Sequence, residues 1–290
     1  MRKFIYYFGI LIFFGLLLIS CNKNNDDEAS KLAIIFNHSN IDISNIPSDW
    51  INTAKENLHI AYGHTSHGSQ IIDGMTGLMN WKGDLYKWTN GDTEGALDIR
   101  DGVIAGDLGH NGDLAWESTT RSYLDDYRNE DINVIIWSWC GGVSDNTEGG
   151  INIYLNAMDK LEKDYPDVKF VYMTGHLDGT GLEGNLHIRN EQIRNFCKTN
   201  NKILYDFADI ESYDPDGNYY LDKYANDGCY YDSDSNGSLN ANWAINWQNS
   251  HTLNVDWYNC NTAHSEPING NMKAYAAWYL WTRLAGWDGN

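Results

Sequence analysis

Positive charge is scarce in this chain: 20 Lys and Arg stand against 40 Asp and Glu, a formal charge of −20 over 290 residues. So acidic a surface repels nucleic acid and anionic lipid, which argues against a nucleic-acid partner, yet a local group of Arg and His can still hold an anionic sugar. Long apolar runs are missing as well. The one stretch of note, Phe4 to Ile19, is short for a transmembrane helix and follows Met1-Arg2-Lys3, so residues 1–20 have the charged and apolar regions of a signal peptide. There is no internal repeat and no sign of a second domain, while an apolar content of 42% is enough for one sizeable core. Cysteine is sparse too. With Cys21 set aside, Cys140, Cys197, Cys229 and Cys260 remain, an even count for an oxidising compartment that leaves three ways of pairing. Cys229 with Cys260 is the expected disulfide, because both lie in a loop-rich late region. Cys140, beside a strand, and Cys197, within a helix, read as buried free thiols.

Leu18-Ile19-Ser20-Cys21 resembles a bacterial lipobox. The resemblance implies cleavage before Cys21, lipidation of Cys21, and a mature protein tethered to the membrane by acyl chains. Residues 21–30, with Asp26-Asp27-Glu28 among them, have no periodicity and read as a flexible tether. They are similar to the acidic sorting stretch of Bacteroidetes surface lipoproteins, which implies a cell-envelope location at the outer membrane, facing outward. Loss of Arg2 and Lys3 with the signal takes the formal charge to about −22.

The remainder, residues 31–290, alternates strand and helix patterns. Leu58 to Tyr62 is the first firm strand; it breaks into Gly63-His64-Thr65-Ser66-His67-Gly68, and Ile71 to Met79 follows as a helix. Ile34-Ile35-Phe36 is a short strand or packing segment, and Ser48 is placed to cap a helix running to Lys55. Trp81 to Asp113 is rich in Gly, Asp, Trp and Asn and reads as a long structured loop. A helix is expected over Ser118 to Arg128. Ile132 to Trp139 is a near-continuous apolar run suited to a central parallel strand, closed by Cys140-Gly141-Gly142. Helical spacing over 151–161, a strand over 168–174, the turn Gly175-His176-Leu177-Asp178, a helix over 187–198 and a strand over 202–207 continue the pattern. Residues 209–258 read as a loop insertion before a last helix, Gly270 to Ala285. Repeated strand–helix units with right-handed crossovers predict a three-layer α/β/α sandwich around a mostly parallel sheet. Such folds place their chemistry at the carboxyl edge of the sheet.

The order of turns, with Gly63-His64-Thr65-Ser66 after the first strand and Asn261-Thr262-Ala263-His264 before the last helix, resembles the SGNH/GDSL hydrolase superfamily over residues 56 to 286. In that superfamily a serine follows the first strand and an Asp-x-x-His pair precedes the last helix. His264 matches the histidine. Asn261 stands where the carboxylate is usual, Thr65 stands at the usual serine with Ser66 one step later, and Trp139-Cys140-Gly141-Gly142 replaces the Gly-x-Asn-Asp block. Loss of the orienting charge lowers serine-hydrolase rates by about four orders of magnitude, so acyl-enzyme hydrolysis is weakened.

What remains is a set of imidazoles, His64, His67, His176 and His264, with hydroxyls from Thr65 and Ser66. This set suits β-elimination on a uronic acid, where one group neutralises the carboxylate, one takes the C5 proton and one protonates the departing C4 oxygen. The expected enzyme is a carbon–oxygen lyase, either a polysaccharide lyase or an oligosaccharide dehydratase, with His64 and His264 as the acid and base. The lipoprotein signal and aromatic content resemble carbohydrate-degrading proteins of marine Bacteroidetes, which implies an acidic algal saccharide of the ulvan type as substrate. Two alternatives stand beside it: a carbohydrate esterase with Ser66 as nucleophile and His264 as base, and a non-catalytic glycan-binding lipoprotein. His59, within the strand, reads as structural. Arg100 and Arg189 could each bind a carboxylate or sulfate bidentately or form plain salt bridges.

No cofactor is expected for catalysis, but Asp232-Ser233-Asp234-Ser235-Asn236-Gly237 has the alternating oxygens and glycine of half an EF-hand loop. Trp243 occupies the twelfth position, where glutamate belongs. A structural calcium on Asp232, Asp234 and Asn236, completed by Asp214, Asp216 or Asn218, is the resulting expectation. Trp81, Trp88, Trp116, Trp243 and Trp247 fall in predicted loops, where aromatic rings stack on sugars. Trp278 and Trp281 read as core.

Overall fold

The apolar runs become strands buried on both faces. In the computed structural model, which describes residues 33–290, seven strands form one sheet: β1 (Ile34–Phe36), β2 (His59–Gly63), β3 (Trp88–Thr89), β4 (Leu97–Asp101), β5 (Val134–Trp137), β6 (Lys169–Met173) and β7 (Ile203–Tyr205). Their order is β1-β7-β6-β5-β2-β4-β3, and every pairing is parallel. The expected signal peptide, lipidated Cys21 and tether fall outside the described residues.

The helices are α1 (Ser48–Asn57), α2 (Ser69–Lys82), α3 (Ala115–Leu124), α4 (Glu148–Asp164), α5 (Asn185–Thr199), α6 (Phe207–Glu211), α7 (Trp243–Ser250) and α8 (Pro267–Leu284). α1 and α2 pack with α8 on one side of the sheet, and α3, α4 and α5 pack together on the other. The fold is a three-layer α/β/α sandwich. α8 is buried along most of its length, and α2 lies hard against it through glycine: a Cβ on Gly74 would sit 2.2 Å from the Gly270 carbonyl oxygen.

Several sequence expectations need correction. The predicted loop over 81–113 contains β3 and β4, and β4 pairs directly with β2. Ser48 does not cap α1; the cap position is Pro47 and no side chain bonds there. The region 209–258 is not a plain loop, because it holds α7 and a small antiparallel ladder of β8 (Tyr230–Tyr231) and β9 (Ala241–Asn242). Trp243 and Trp247 anchor it, and both are buried, as is Trp116 on α3. These three indoles are therefore core rather than sugar platforms. Trp81, on α2, packs against Tyr258 instead of lying in a loop.

The expected Cys229–Cys260 disulfide is absent: among the described residues all four cysteines are free. The Cys229 thiol lies 3.3 Å from Ser265 Oγ, whereas Cys260 Sγ points to the Pro267 carbonyl at 3.6 Å and Asn271 Nδ2 at 3.5 Å. Each sulfur has its own neighbours.

Candidate functional site

The chain steps from β4, on one side of β2, to β5, on the other, so β2 and β5 flank a topological switch point. Two of the four key turns leave the sheet here. After β2, Gly68 lets residues 64–67 fold back on themselves; a Cβ there would meet Ser138 Oγ at 2.3 Å, His64 Cβ at 2.4 Å and the Tyr62 hydroxyl at 2.7 Å. After β5, Cys140 is followed by Gly141 and Gly142, both at positive φ (77° and 70°), a conformation glycine adopts without strain. The turn after β6 brings His176, and the segment before α8 brings His264. His264 itself has φ 64°, unusual for a side-chain-bearing residue and the kind of local strain that accompanies a fixed functional geometry.

These four segments meet. His264 Nε2 is 3.0 Å from Ser66 Oγ, and Ser66 Oγ is 3.2 Å from Cys140 Sγ. Cys140 Sγ is in turn 3.2 Å from His67 Nδ1, and His67 Nε2 is 3.0 Å from Asp227 Oδ2. The result is an unbroken hydrogen-bonded line, His264–Ser66–Cys140–His67–Asp227, exposed at its His264 and Ser66 end and buried at His67. The three rings of His176, His67 and His264 stack, His176 on His67 at 3.6 Å with planes 1° apart and His264 on His67 at 4.5 Å.

Protonation differs along this stack. Burial works against charge on His67, but the Asp227 carboxylate and the Cys140 sulfur on its two nitrogens outweigh it, and its pKa is raised. For His176 burial prevails and the pKa is lowered, with His67 adding to the fall. Its hydrogen bonds fit a neutral ring: Nδ1 donates to the Leu177 carbonyl at 2.9 Å, and Nε2 accepts the Gly141 N–H at 3.2 Å. Burial would raise the Cys140 thiol, but hydrogen bonds from Ser66 and His67 bring it down to about 7.

No family model, curated protein or solved structure matches this chain.

The structure brings together His64, Ser66, His67, His176 and His264, but not in the expected roles. Both nitrogens of His64 are engaged, Nε2 with Asp101 at 2.5 Å and Nδ1 with the Thr65 carbonyl at 2.9 Å. Burial opposes its charge, yet Asp101 and the Thr65 carbonyl prevail and its pKa is raised, with both of its ring nitrogens committed to partners in the protein. Thr65 Oγ1 donates to Asp107 at 2.7 Å. Asn261 turns to Asp73, 3.3 Å away, instead of orienting His264.

Arg100 lies away from these histidine turns. It points toward the amino end of the sheet, pairing with Asp131 and, at 3.1 Å, with Asp98, which also holds His59 at 2.9 Å. Arg189, on α5, bonds Gln192 at 2.8 Å.

Three donors from His67, His176 and Asp227 lie within 4.8 Å of one another. The two rings are parallel, however, so their lone pairs run side by side instead of converging on one ion. The expected calcium loop closes on itself: the Asp232 carboxylate accepts from the backbone N–H of Asp234, Asn236 and Gly237 at 3.3, 3.2 and 2.7 Å. Asp214 does the same for Asp216 and Asn218, and also accepts from the Tyr220 hydroxyl. Asp232 and Asn236 border an open cavity of about 790 Å³.

Sequence reasoning missed Cys140, Asp227 and Asp101 as members of the site. Cys140 carried a usable signal, since it ends a central strand at the same edge as the histidine turns. Asp227 carried none: it reaches His67 across 160 positions, held by its N–H on the Leu177 carbonyl at 3.0 Å.

Proposed function

We propose that this protein is a carbon–oxygen lyase that acts on uronate-containing oligosaccharides by β-elimination, as a dehydratase when the leaving group is water and as a polysaccharide lyase when it is a sugar. The observation that supports this best is the proton-carrying line His264–Ser66–Cys140–His67–Asp227, with separations of 3.0 to 3.2 Å throughout. Elimination requires two proton transfers close together and a site for negative charge; it requires no acyl intermediate. His264, exposed and bonded to Ser66, serves the leaving oxygen. The Cys140–His67 couple serves the C5 proton. Elimination also needs the substrate carboxylate neutralised, because the acidity at C5 rises as that charge is met. An acidic algal saccharide of the ulvan type fits this chemistry, and the lipobox-like Cys21 fits an envelope protein held by acyl chains.

A specific contact favours a second reading. Ser66 Oγ at 3.0 Å from His264 Nε2 is a nucleophile–base distance, as in a carbohydrate esterase. The esterase lacks support behind the histidine, because Asn261 is turned toward Asp73. A panel of acidic algal oligosaccharides followed by mass and ultraviolet absorbance separates the two. Elimination yields a C4–C5 double bond conjugated to the carboxylate, with water lost or the chain cut. Release of acetate without that chromophore would replace the lyase by the esterase.

A further inference from the structure

We infer that the atom taking the C5 proton is the Sγ of Cys140, with His67 and Asp227 behind it as a carboxylate-oriented imidazole; the inference rests on the elimination reading above. Segments from three separate regions of the chain build the group: Sγ lies 3.2 Å from His67 Nδ1, and His67 Nε2 lies 3.0 Å from Asp227 Oδ2. The order sulfur, imidazole, carboxylate is that of an activated nucleophile or base with an oriented partner.

Position separates this thiol from the others. Cys140 is partly exposed at the end of β5, while Cys197 and Cys229 are buried and Cys260, also partly exposed, has Thr262, Asn271 and the Pro267 carbonyl as its neighbours and a pKa raised by burial. The Ser66 hydroxyl approaches its sulfur at 3.2 Å, and the backbone N–H of His67, just ahead of α2, also donates to it. Helix N-termini and imidazolium neighbours stabilise thiolate. Burial pushes Cys229 up to about 12 and Cys197 higher still, so charge at neutral pH belongs to Cys140, near 7. The titratable groups around it are His67, His176 and His264, with Asp227 and Glu211 behind His67. His67 cannot itself meet a carbon-bound proton, because both its nitrogens are engaged and its ring is buried. The sulfur can.

The step balances without a further reagent. Thiolate takes the proton from C5; the C5–H electron pair becomes the second C4–C5 bond; the C4–O pair leaves on oxygen, which takes a proton from His264 through Ser66 Oγ. The Sγ proton then returns to His264 along the same hydroxyl, over contacts of 3.2 and 3.0 Å. The thiolate and imidazolium are restored.

Two measurements on the full-length protein test this. Cys140→Ser should lower kcat for the elimination chromophore by about a hundredfold or more with little change in KM, since general-base contributions run to that size. Iodoacetamide labelling, resolved by peptide mass between about pH 5 and 9, should mark Cys140 with a midpoint near 7. That midpoint should move up by one unit or more in Asp227→Asn and His67→Gln. Cys140→Ser with more than a tenth of the wild-type rate would overturn the assignment of the base, as would a wild-type labelling midpoint of about 8.5, the value of an ordinary thiol. A wild-type protein that labels near 7 but forms no chromophore on any acidic oligosaccharide would instead overturn the elimination reading, and with it this role for the sulfur.

Discussion

Removal of Glu211 should destabilise the fold strongly and in a pH-dependent way. Glu211 and Lys273 are both fully buried, with Nζ 2.6 Å from Oε1. The ammonium also contacts Gln70 Oε1 and lies 3.8 Å from the centre of the Phe207 ring, while Glu211 Oε2 accepts the Leu177 N–H at 2.8 Å. In Glu211→Gln the ammonium keeps its burial and loses its counter-charge. Breaking a buried pair from one side costs about 3–5 kcal/mol. With a urea slope of about 3 kcal/mol/M for a domain of this size, the midpoint should fall by about 1 to 1.7 M. Burial already lowers the Lys273 pKa despite Glu211, and the variant lowers it further. The sign follows: an amine whose folded pKa lies below its unfolded value near 10.5 leaves the unfolded state holding more protons in that window, so stability rises with pH. The deficit of Glu211→Gln should therefore shrink as pH rises toward the unfolded lysine value of about 10.5. Lys273→Met combined with Glu211→Gln should cost less than the two singles together, because neither charge is stranded. Tryptophan fluorescence in urea measures all four proteins. A single-variant loss under about 1 kcal/mol, or a double variant worse than the sum, would refute the argument.

Other perturbations follow from contacts already described. Asp101→Asn removes the partner that raises the His64 pKa; that stabilisation is complete below His64's unfolded value of about 6.5 and fades as pH rises through the folded one. The variant should thus lose about 1–2 kcal/mol near pH 6 and little near pH 9, and equal losses at both would contradict the pairing. Gly68→Ala should lower the melting temperature and scramble the 64–67 turn, at a cost of about 1–3 kcal/mol, because the new methyl meets Ser138, His64 and Tyr62 together. An unchanged melting temperature would show that the turn can yield. Gly74→Ala should destabilise despite alanine's better helix propensity, since the Gly270 carbonyl stands 2.2 Å from the new carbon; a raised urea midpoint would count against close α2–α8 packing.

The parts legible in the sequence are those whose physics is local. β2, β5, β6 and β7 are apolar runs that stop at turn residues, so the sandwich and its carboxyl edge could be read directly. β4 was hidden because Leu97-Asp98-Ile99-Arg100-Asp101 mixes charge with apolar residues; the charges of Asp98 and Arg100 are satisfied inside the protein by His59 and Asp131. The same concealment hid Asp101, which ends that strand beside His64. Trp116, Trp243 and Trp247 read as loop residues, yet each fills core space that only the tertiary fold creates. Cys140 reads as a buried thiol from its neighbours, and its imidazole and carboxylate partners come from segments that no spacing connects to it. Asp227, inside a region without periodicity, could not have been assigned to His67 by any sequence rule.

The stacked pair His67 and His176 explains why one edge of the sheet can hold charge and remain ordered. Two imidazolium rings 3.6 Å apart would repel strongly at low local dielectric, so only one of them takes the proton. Partners on the outer nitrogens decide which. Asp227 and the Cys140 sulfur face His67, while a backbone N–H from Gly141 faces His176 and accepts nothing. His176 is thereby kept neutral, and its Nε2 ties down the turn that carries Cys140. Its place in the site is that of a positioning residue, in contrast to the acid–base role expected from its turn. His176→Asn can still accept from Gly141 but removes the aromatic face, so it should leave the Cys140 labelling midpoint near 7 while weakening the order of the turn, seen as faster amide exchange at Gly141 and Gly142. A midpoint that moves as far as it does in Asp227→Asn would mean that His176 shares the proton, and that the charge is not confined to His67.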